Sequence, residues 1–298
     1  MLLGAFLLTG AAFFAPIAQE AFDPVVAIGR VNADGSNTWT ASGFLYAYVC
    51  RPEDKGEKRY CRFIVTNQHV FAGLREVAVR FNPGFLSPQT NAEVVTIPLV
   101  EAGGKTSWTA HPSESIDVAV LRYEPSAELV KRLQHIAYIA GEDSFDRAVM
   151  PEGTIASRTI KNSGATEGDE VYLPGFPIGV ITDQLFGASR NYPVLRRGTI
   201  AWITPTMESL TPEFLVDALI FPGNSGGPVM RRCEDRERAD LCLIGMVQGY
   251  LPYSDVAVSR QTGRPRVTFE ENSGLAVVIP VEEINQTAAE HLKRHAGN

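Results

Sequence analysis

The segment FPGNSGGPV, at residues 221–229, constrains the fold of this chain more than any other. Glycines on both sides of Ser225 allow a tight turn, since glycine adopts backbone conformations that other residues resist. In such a turn the backbone N–H groups of Gly223 and Ser225 can point at one spot. A serine hydroxyl is a poor nucleophile at neutral pH, so serine chemistry also needs a base and donors for an oxyanion. The segment can supply the donors, and a histidine and an acid must come from elsewhere.

Two upstream segments carry a histidine and an acid. His69 lies in TNQHV, directly after an apolar run, and Asp117 precedes the apolar run VAVL. Among the unrelated folds with this triad, the order His69, Asp117, Ser225 is that of the chymotrypsin-type proteases. With TNQHV and PGNSGGP, the sequence resembles the trypsin-like serine peptidases, and within them the bacterial HtrA-like branch. The resemblance covers roughly residues 22–282 and rests on three short motifs in the right order.

This resemblance implies a serine endopeptidase that works through an acyl-enzyme intermediate. Ser225 would attack the peptide carbonyl, His69 would accept its proton, and Asp117 would orient the imidazole. The N–H groups of Gly223 and Ser225 would bind the oxyanion, and the substrate would lie between two barrels as an added strand. Asn224 stands where zymogen-activated relatives have an aspartate that pairs with a new N-terminus. We therefore expect a protease that needs no activating cleavage.

The resemblance also indicates where the substrate pocket lies. The candidate residues are Leu219, Val247, Gly249 and Tyr250. None of them is charged, and Leu219 occupies the position six before the nucleophile where trypsins have an aspartate. We expect a preference for small or apolar side chains at P1, the residue before the cleaved bond.

Two other functions fit parts of the sequence. Residues 223–227 also satisfy G-x-S-x-G, the nucleophile elbow of α/β-hydrolases, which would make the protein an esterase. In that fold a helix follows the elbow, whereas Pro228 cannot continue a helix and the chain lacks alternating strands and helices. The other alternative is a catalytically silent protease homologue that binds peptides.

The pattern from Pro24 onward predicts an all-β fold. Short runs rich in Val, Ile, Thr and aromatic residues are separated by Gly, Pro, Asn and Asp, which is typical of strands and turns. Two sets of runs predict two antiparallel Greek-key barrels of the chymotrypsin type. We expect a first barrel at 22–125, a helical and irregular connection at 126–166, a second barrel at 167–282, and a C-terminal helix and tail at 283–298. We expect no PDZ domain of the kind that many HtrA-like relatives append.

The cysteines and the first residues both bear on the compartment. Cys50 and Cys61 bracket one charged loop and Cys233 and Cys242 another, which favours a disulfide within each pair over four reduced thiols. Residues 1–18 contain no charge and predict a secretory signal peptide, with an uncleaved membrane anchor as the alternative. Together these features predict a secreted or periplasmic protein.

Charge and composition disfavour several other partners. The chain has 27 Lys and Arg against 34 Asp and Glu, a net charge of −7, and no basic patch of the kind that binds nucleic acid. The histidines and cysteines have no zinc-ligand spacing, so we expect neither a metal nor another cofactor. The expected partner is a peptide or protein substrate. Stable membrane association is expected only if residues 1–18 remain as an anchor.

Overall fold

The computed structural model describes residues 19–51, 59–84, 91–134, 136–141, 154–178, 192–203, 212–235 and 238–295. The predicted signal peptide at 1–18 lies outside these residues. The described part consists mainly of β-strands arranged in two barrels, with a few short helices and one longer C-terminal helix. The prediction of an all-β fold with two barrels is confirmed.

Seven antiparallel strands form the first barrel. They are β1 (Val25–Val31), β2 (Asn37–Arg51), β3 (Arg59–Thr66), β4 (Glu76–Phe81), β5 (Glu93–Pro98), β6 (Trp108–Ala110) and β7 (Ala119–Arg122). Their order is β5-β4-β1-β2-β3-β7-β6. A one-turn helix, α1 (Gln68–Phe71), follows β3. A bridge between Val100 and Thr106 joins the chain after β5 to the chain before β6. The ends of β3 and β7, which carry the candidate base and acid, are therefore neighbours inside a barrel.

Six antiparallel strands close the second barrel. They are β10 (Glu170–Gly175), β11 (Val194–Trp202), β12 (Phe214–Asp217), β13 (Pro228–Asp235), β14 (Arg238–Val258) and β15 (Pro265–Pro280). The order is β13-β10-β11-β12-β15-β14, and β14 pairs again with β13. Strand β13 begins directly after the Ser225 segment, so the turn with the candidate nucleophile opens a barrel strand.

The connection between the barrels contains the predicted helix and two short strands. Helix α2 (Ala127–Leu133) is capped by Ser126, whose hydroxyl accepts a hydrogen bond from the N–H of Leu129 at 3.1 Å. Strands β8 (Ile139–Ala140) and β9 (Ile155–Ser157) pair in parallel with each other. Strand β8 also pairs in parallel with β2 of the first barrel, and β9 with β14 of the second. They join the two barrels into one continuous sheet. The sequence pattern did not indicate these strands because each is only two or three residues long. A one-turn helix, α3 (Ile160–Ser163), follows β9.

Strand β1 is buried on both faces because it lies between the barrels. Val26 and Ile28 pack in the core of the first barrel, whereas Val25 and Ala27 pack against Phe176 of the second. Burial on both faces explains the uninterrupted apolar run VVAI, which does not alternate as a strand with one solvated face would. The loop after β10 is thereby fixed against the first barrel.

The C-terminal helix α4 (Val281–Arg294) folds back onto the first barrel. Ile284 and Ala288 enter a core cluster with residues of both barrels, and His291 is buried beside Phe63 with its Nδ1 2.9 Å from the hydroxyl of Thr109. Burial, reinforced by the charges around it, lowers the pKa of His291 to about 4. His291 is therefore a neutral packing residue near pH 7.

The structure contains both predicted disulfides. Cys50 is joined to Cys61 with a Cα–Cα distance of 5.4 Å, and Cys233 is joined to Cys242 at 5.8 Å. Each disulfide crosses a strand pair near the foot of a hairpin, β2–β3 in the first barrel and β13–β14 in the second. Among the described residues, no helix is long and apolar enough to cross a membrane.

Candidate active site

Pairing between β3 and β7 brings His69 and Asp117 together. Thr66 at the end of β3 lies opposite Ala119 at the start of β7, so the residues just beyond the two strand ends are neighbours. His69 lies in the one-turn helix α1 (Gln68–Phe71). Asp117 Oδ2 lies 2.6 Å from His69 Nδ1, and Asp117 Oδ1 accepts a hydrogen bond from the backbone N–H of His69 at 3.0 Å. The carboxylate thus contacts the histidine at two points.

This contact fixes the tautomer and the basicity of His69. An ionised carboxylate only accepts hydrogen bonds, so the His69 proton must be on Nδ1, which leaves Nε2 with a lone pair. The hydrogen bond to Asp117 raises the pKa of His69 above its ordinary value, with a further attraction from the Asp117 charge and opposition from partial burial. Neither His69 Nε2 nor the Ser225 hydroxyl has a hydrogen-bond partner among the described residues. The imidazole is arranged to accept a proton at Nε2.

Two glycines give the Ser225 segment its shape. Gly223 has a φ of +96° and Gly226 a φ of +84°, values that side chains other than glycine rarely adopt. A Cβ at Gly223 would collide with the carbonyl oxygen of Phe176, and one at Gly226 would collide with that of Ser42. Both positions therefore require glycine for backbone conformation and for space.

Ser42 of β2 fastens this turn to the first barrel. Its hydroxyl donates to the carbonyl of Gly223 at 2.7 Å and accepts from the backbone N–H of Phe176 at 2.8 Å. Its backbone N–H donates to the carbonyl of Ser225 at 2.9 Å, and its carbonyl accepts from the Thr66 hydroxyl at 2.8 Å. Thr66 precedes His69 by three residues. Ser42 therefore links the nucleophile segment to the strand end that carries the base.

Asn224 closes the turn from the other side. It is buried, its side-chain Oδ1 accepts from the backbone N–H of Phe221 at 3.0 Å, and its own N–H donates to the carbonyl of Phe221 at 3.0 Å. The turn is thus held by the neutral side chains of Asn224 and Ser42. Both of these side chains are neutral, and Asn224 is the residue that replaces the aspartate of zymogen-activated relatives.

Two backbone donors of the turn are left without an acceptor. The carbonyl of Pro222 accepts from the N–H of Ile178 at 2.8 Å. Because C=O and N–H point in opposite directions across a trans peptide, the N–H of Gly223 points away from Ile178. Within the described part of the chain, neither this N–H nor that of Ser225 has an acceptor. A pair of free donors flanking a serine hydroxyl is the arrangement that can bind an oxyanion.

A known protein family matches the region that contains this site. A family model, the trypsin-like peptidase domain, matches residues 41–236, which is more than half of the chain. The chain belongs to the trypsin-like peptidase family. The match includes His69, Asp117 and Ser225.

Two solved structures are similar to this trypsin-like peptidase. The protease domain of MamO from Magnetospirillum magneticum shares 15% sequence identity at a TM-score of 0.45, with 89% of this chain and 95% of that chain covered. The HtrA-type protease AlgW, in a structure with a decapeptide, shares 16% identity at a TM-score of 0.46, with 93% of this chain and 67% of that chain covered. Among curated proteins, none matches the sequence significantly.

The four predicted pocket residues of this trypsin-like peptidase differ from one another in how far they are buried. Leu219 is 50% exposed, and the space above Gly249 is open, since a Cβ built there would meet no atom within 4 Å. Val247 is buried in the core of the second barrel, and Tyr250 is half-buried against that core. The backbone of Val247 pairs with the segment after Ser225, accepting from Gly226 and donating to Gly227, both at 2.9 Å. Val247 contributes its backbone to the site, and its side chain contributes to the core.

Sequence reasoning had not assigned a role to three buried polar residues of this trypsin-like peptidase. They are Ser42, Thr66 and Asn67, all 0% exposed. Asn67 donates through Nδ2 to the carbonyl of Asp117 at 2.7 Å. Each is a polar residue within or at the end of an apolar strand, where an unpartnered hydroxyl or amide would be costly to bury. A polar residue within or at the end of an otherwise apolar run is the sequence signal that could have identified them.

Proposed function

We propose that this protein is a serine endopeptidase that hydrolyses peptide bonds with His69, Asp117 and Ser225. The observation that carries the proposal is the two-point contact of Asp117 with His69, which leaves Nε2 as the basic nitrogen. His69 follows Thr66 by three residues, and the Thr66 hydroxyl bonds to Ser42, which holds the Ser225 turn. Catalytic hydrogen bonds are often long before substrate binds, so the free Ser225 hydroxyl is compatible with this role.

The proposed reaction has two stages. The Ser225 oxygen attacks the peptide carbonyl as His69 Nε2 takes the hydroxyl proton, and the carbonyl oxygen becomes an oxyanion that the N–H groups of Gly223 and Ser225 stabilise. The imidazolium then donates that proton to the leaving amine, which releases the C-terminal product and leaves an acyl-enzyme. Water, deprotonated by His69, attacks the ester and releases the N-terminal product as Ser225 regains its proton. Asp117 remains ionised and stabilises the imidazolium throughout.

The turn that carries the two donors is ordered by the protein's own neutral side chains. The bonds from Ser42 to Gly223 and from Asn224 to Phe221 hold it without a charged partner. The protease is therefore active without an activating cleavage of the kind that creates a new N-terminus. The uncharged, half-exposed side chain of Leu219 and the open space above Gly249 support a preference for small or apolar P1 residues.

The protein acts outside the reducing cytosol, in the periplasm or after secretion. Two disulfides in two different barrels are stable in an oxidising compartment and are rare in the cytosol. An uncharged segment at residues 1–18 is the export signal in this account.

The test is cleavage of an unfolded, reduced and alkylated protein substrate, with products identified by mass spectrometry. Wild type should cut within the chain, mostly after small or apolar residues, and Ser225→Ala should not cut at all. Cuts that persist in Ser225→Ala would come from a contaminating protease. A folded wild-type protein that binds the substrate and never cuts it would show a silent homologue instead.

A further inference from the structure

Residues 111–118 connect β6 to β7 and carry Asp117, and we call them the acid loop. The two ends of the loop are joined to each other, since the backbone N–H of His111 donates to the carbonyl of Val118 at 3.0 Å and continues the pairing of β6 with β7. Residues 112–115, which precede the acid, are exposed. Burial therefore does not determine the conformation of this stretch, and polar contacts are needed to fix it.

His111 ties the acid loop to another element of the fold. Its imidazole is buried, with Nδ1 3.0 Å from the backbone nitrogen of Ser113 and Nε2 2.9 Å from Glu283 Oε2. The carbonyl of Ser113 lies farther from Nδ1, at 3.3 Å, and Nε2 also lies 3.2 Å from Gln286 Oε1. Because the nearer group at Nδ1 is an N–H donor, the ring proton is on Nε2 and is directed to Glu283. One ring thus joins the exposed turn of the acid loop to the first two turns of α4.

The Glu283 carboxylate depends on the same contact. Its side chain is only 14% exposed. Burial raises the pKa of Glu283, and the contact with His111 opposes this rise. Loss of the imidazole would leave a partly buried carboxylate without this donor, which costs free energy. The two side chains therefore act as a pair.

Helix α4 is fixed to the barrels, so it can support the acid loop. The core cluster that contains the buried side chains of α4 also contains Ile116 and Val118, the residues on either side of Asp117. On another face of the helix, Asn285 Oδ1 accepts a hydrogen bond from the hydroxyl of Tyr46 in β2 at 2.6 Å. The helix thus meets the acid loop twice, by packing next to Asp117 and by the hydrogen bond at the first residue of the loop.

We propose that His111 and Glu283 are positioning residues for the triad acid. The hydrogen bond between them holds the acid loop against the C-terminal helix, and the loop in turn holds the Asp117 carboxylate in its two-point contact with His69. This inference rests on the proposed peptidase function. It makes α4 part of the support of the catalytic site, although no residue of the helix contacts the triad in the described part of the chain.

The experiment separates the two ends of the His111 ring. His111→Asn places an amide oxygen close to the position of Nδ1, so it can still accept from Ser113, but it is too short to reach Glu283. His111→Gln places an amide N–H close to the position of Nε2 and can still donate to Glu283. Glu283→Ala removes the same contact from the side of the helix. The matched control is Glu290→Gln, which removes one negative charge from the same helix.

We expect kcat to fall by roughly tenfold to a hundredfold in His111→Asn and in Glu283→Ala, with KM little changed, since a small displacement of a catalytic group has effects of this size. His111→Gln should recover most of the lost kcat. The double variant of His111→Asn with Glu283→Ala should be no worse than the worse single variant, because both remove one bond. Glu290→Gln weakens only an ion pair with Arg294 and should equal wild type.

The second measurement is the pKa of His69, by NMR titration in the inactive Ser225→Ala background. The hydrogen bond to Asp117 raises this pKa, so His111→Asn and Glu283→Ala should lower it toward about 6.5, and Glu290→Gln should not. A role in stability alone would lower the melting temperature and leave both kcat and the His69 pKa at their wild-type values. That result, measured well below the melting temperature, would overturn the inference.

Two further outcomes remain decisive. If His111→Asn does not fold, Glu283→Ala carries the same test, because it leaves the bond between His111 and Ser113 in place. If wild type cuts nothing, the titration separates this inference from the proposed function. A His69 pKa that falls in Glu283→Ala and stays unchanged in Glu290→Gln then supports the positioning role by itself, and a pKa that is equal in all three proteins contradicts it.

Discussion

His69 and Ser225 are held by two different kinds of structure. His69 is fixed by an ionised side chain on a partly exposed surface, since Asp117 contacts both its ring and its backbone. Ser225 is fixed by backbone geometry, since glycines shape its turn and the buried neutral groups of Ser42 and Asn224 hold it. We call His69 with Asp117 the base half of the candidate site, and the Ser225 turn with Ser42 and Asn224 the nucleophile half. The base half is thus sensitive to charge and pH, and the nucleophile half to geometry. Changes in the two halves should fail in different ways.

The largest expected loss of activity comes from removing the side chain of His69 or that of Ser225. His69→Ala and Ser225→Ala should each lower kcat by about a million-fold, because the residues of a triad act as one unit. For the same reason the double variant should be no worse than either single one. The measurement is kcat on a good peptide substrate, with the melting temperature as a control for folding. A double variant whose loss is the product of the two single losses would mean that the halves work independently.

The next effect acts on the base half through the His69 tautomer and the charge beside it. Asp117→Asn keeps the size of the side chain but introduces an amide that can favour the wrong ring proton, and kcat should fall by about ten-thousandfold. The melting temperature should stay close to wild type, because the change is isosteric and His69 is exposed. If the variant retains activity within about tenfold of wild type, less than a positioned general base contributes, Asp117 is not the triad acid.

A smaller loss of activity is expected when the residue that holds the Ser225 turn is changed. Ser42→Ala removes the bond to Gly223 and leaves the N–H of Phe176 without its acceptor. We expect kcat to fall by roughly tenfold to a hundredfold, less than the loss of an oxyanion donor itself, with KM little changed. Stability should fall by about 1–3 kcal/mol.

The matched control is Ser36→Ala, whose hydroxyl is exposed and bonds only within its own turn. It should leave kcat and stability unchanged. The NMR-measured pKa of His69 should be the same in Ser42→Ala as in wild type. A shifted His69 pKa would show that Ser42 supports the base half as well.

The smallest expected effect is a shift in pKa. In the inactive Ser225→Ala protein, NMR titration should place the His69 pKa above its unfolded value of about 6.5, and adding Asp117→Asn should lower it. Activity is lost as pH falls through this pKa, because protonated His69 cannot accept a proton. For stability the sign is opposite: the raised pKa stabilises the folded state below about pH 6.5, and the contribution disappears as pH rises through the folded pKa. A pKa that does not respond to Asp117→Asn would contradict the hydrogen bond as its cause.

The sequence indicated candidates for the nucleophile, base and acid, but it did not indicate the residues that support them. Each of the three candidates lies in a short motif at one end of an apolar run, and their order in the chain restricted the fold. Ser42 was not assigned a role because its partners, Gly223 and Phe176, are far away in sequence and only the packed barrels bring them together. The apolar runs at 25–31 and 76–81 form strands β1 and β4 over the same residues. Alternation alone does not predict that a hairpin extends into solvent, so the exposed extension of β14 and β15 at residues 251–273 could not be anticipated.

The central claim is that Ser225 is activated by His69 in a turn that is already ordered. Reaction of the purified protein with a fluorophosphonate probe, followed by peptide mapping, tests it most directly. The account predicts one adduct on Ser225 in wild type without any prior proteolytic cleavage, no adduct in His69→Ala, and a slower reaction in Ser42→Ala. A folded wild-type protein with intact disulfides that remains unlabelled, or that labels only after its N-terminal side is cleaved, would contradict it.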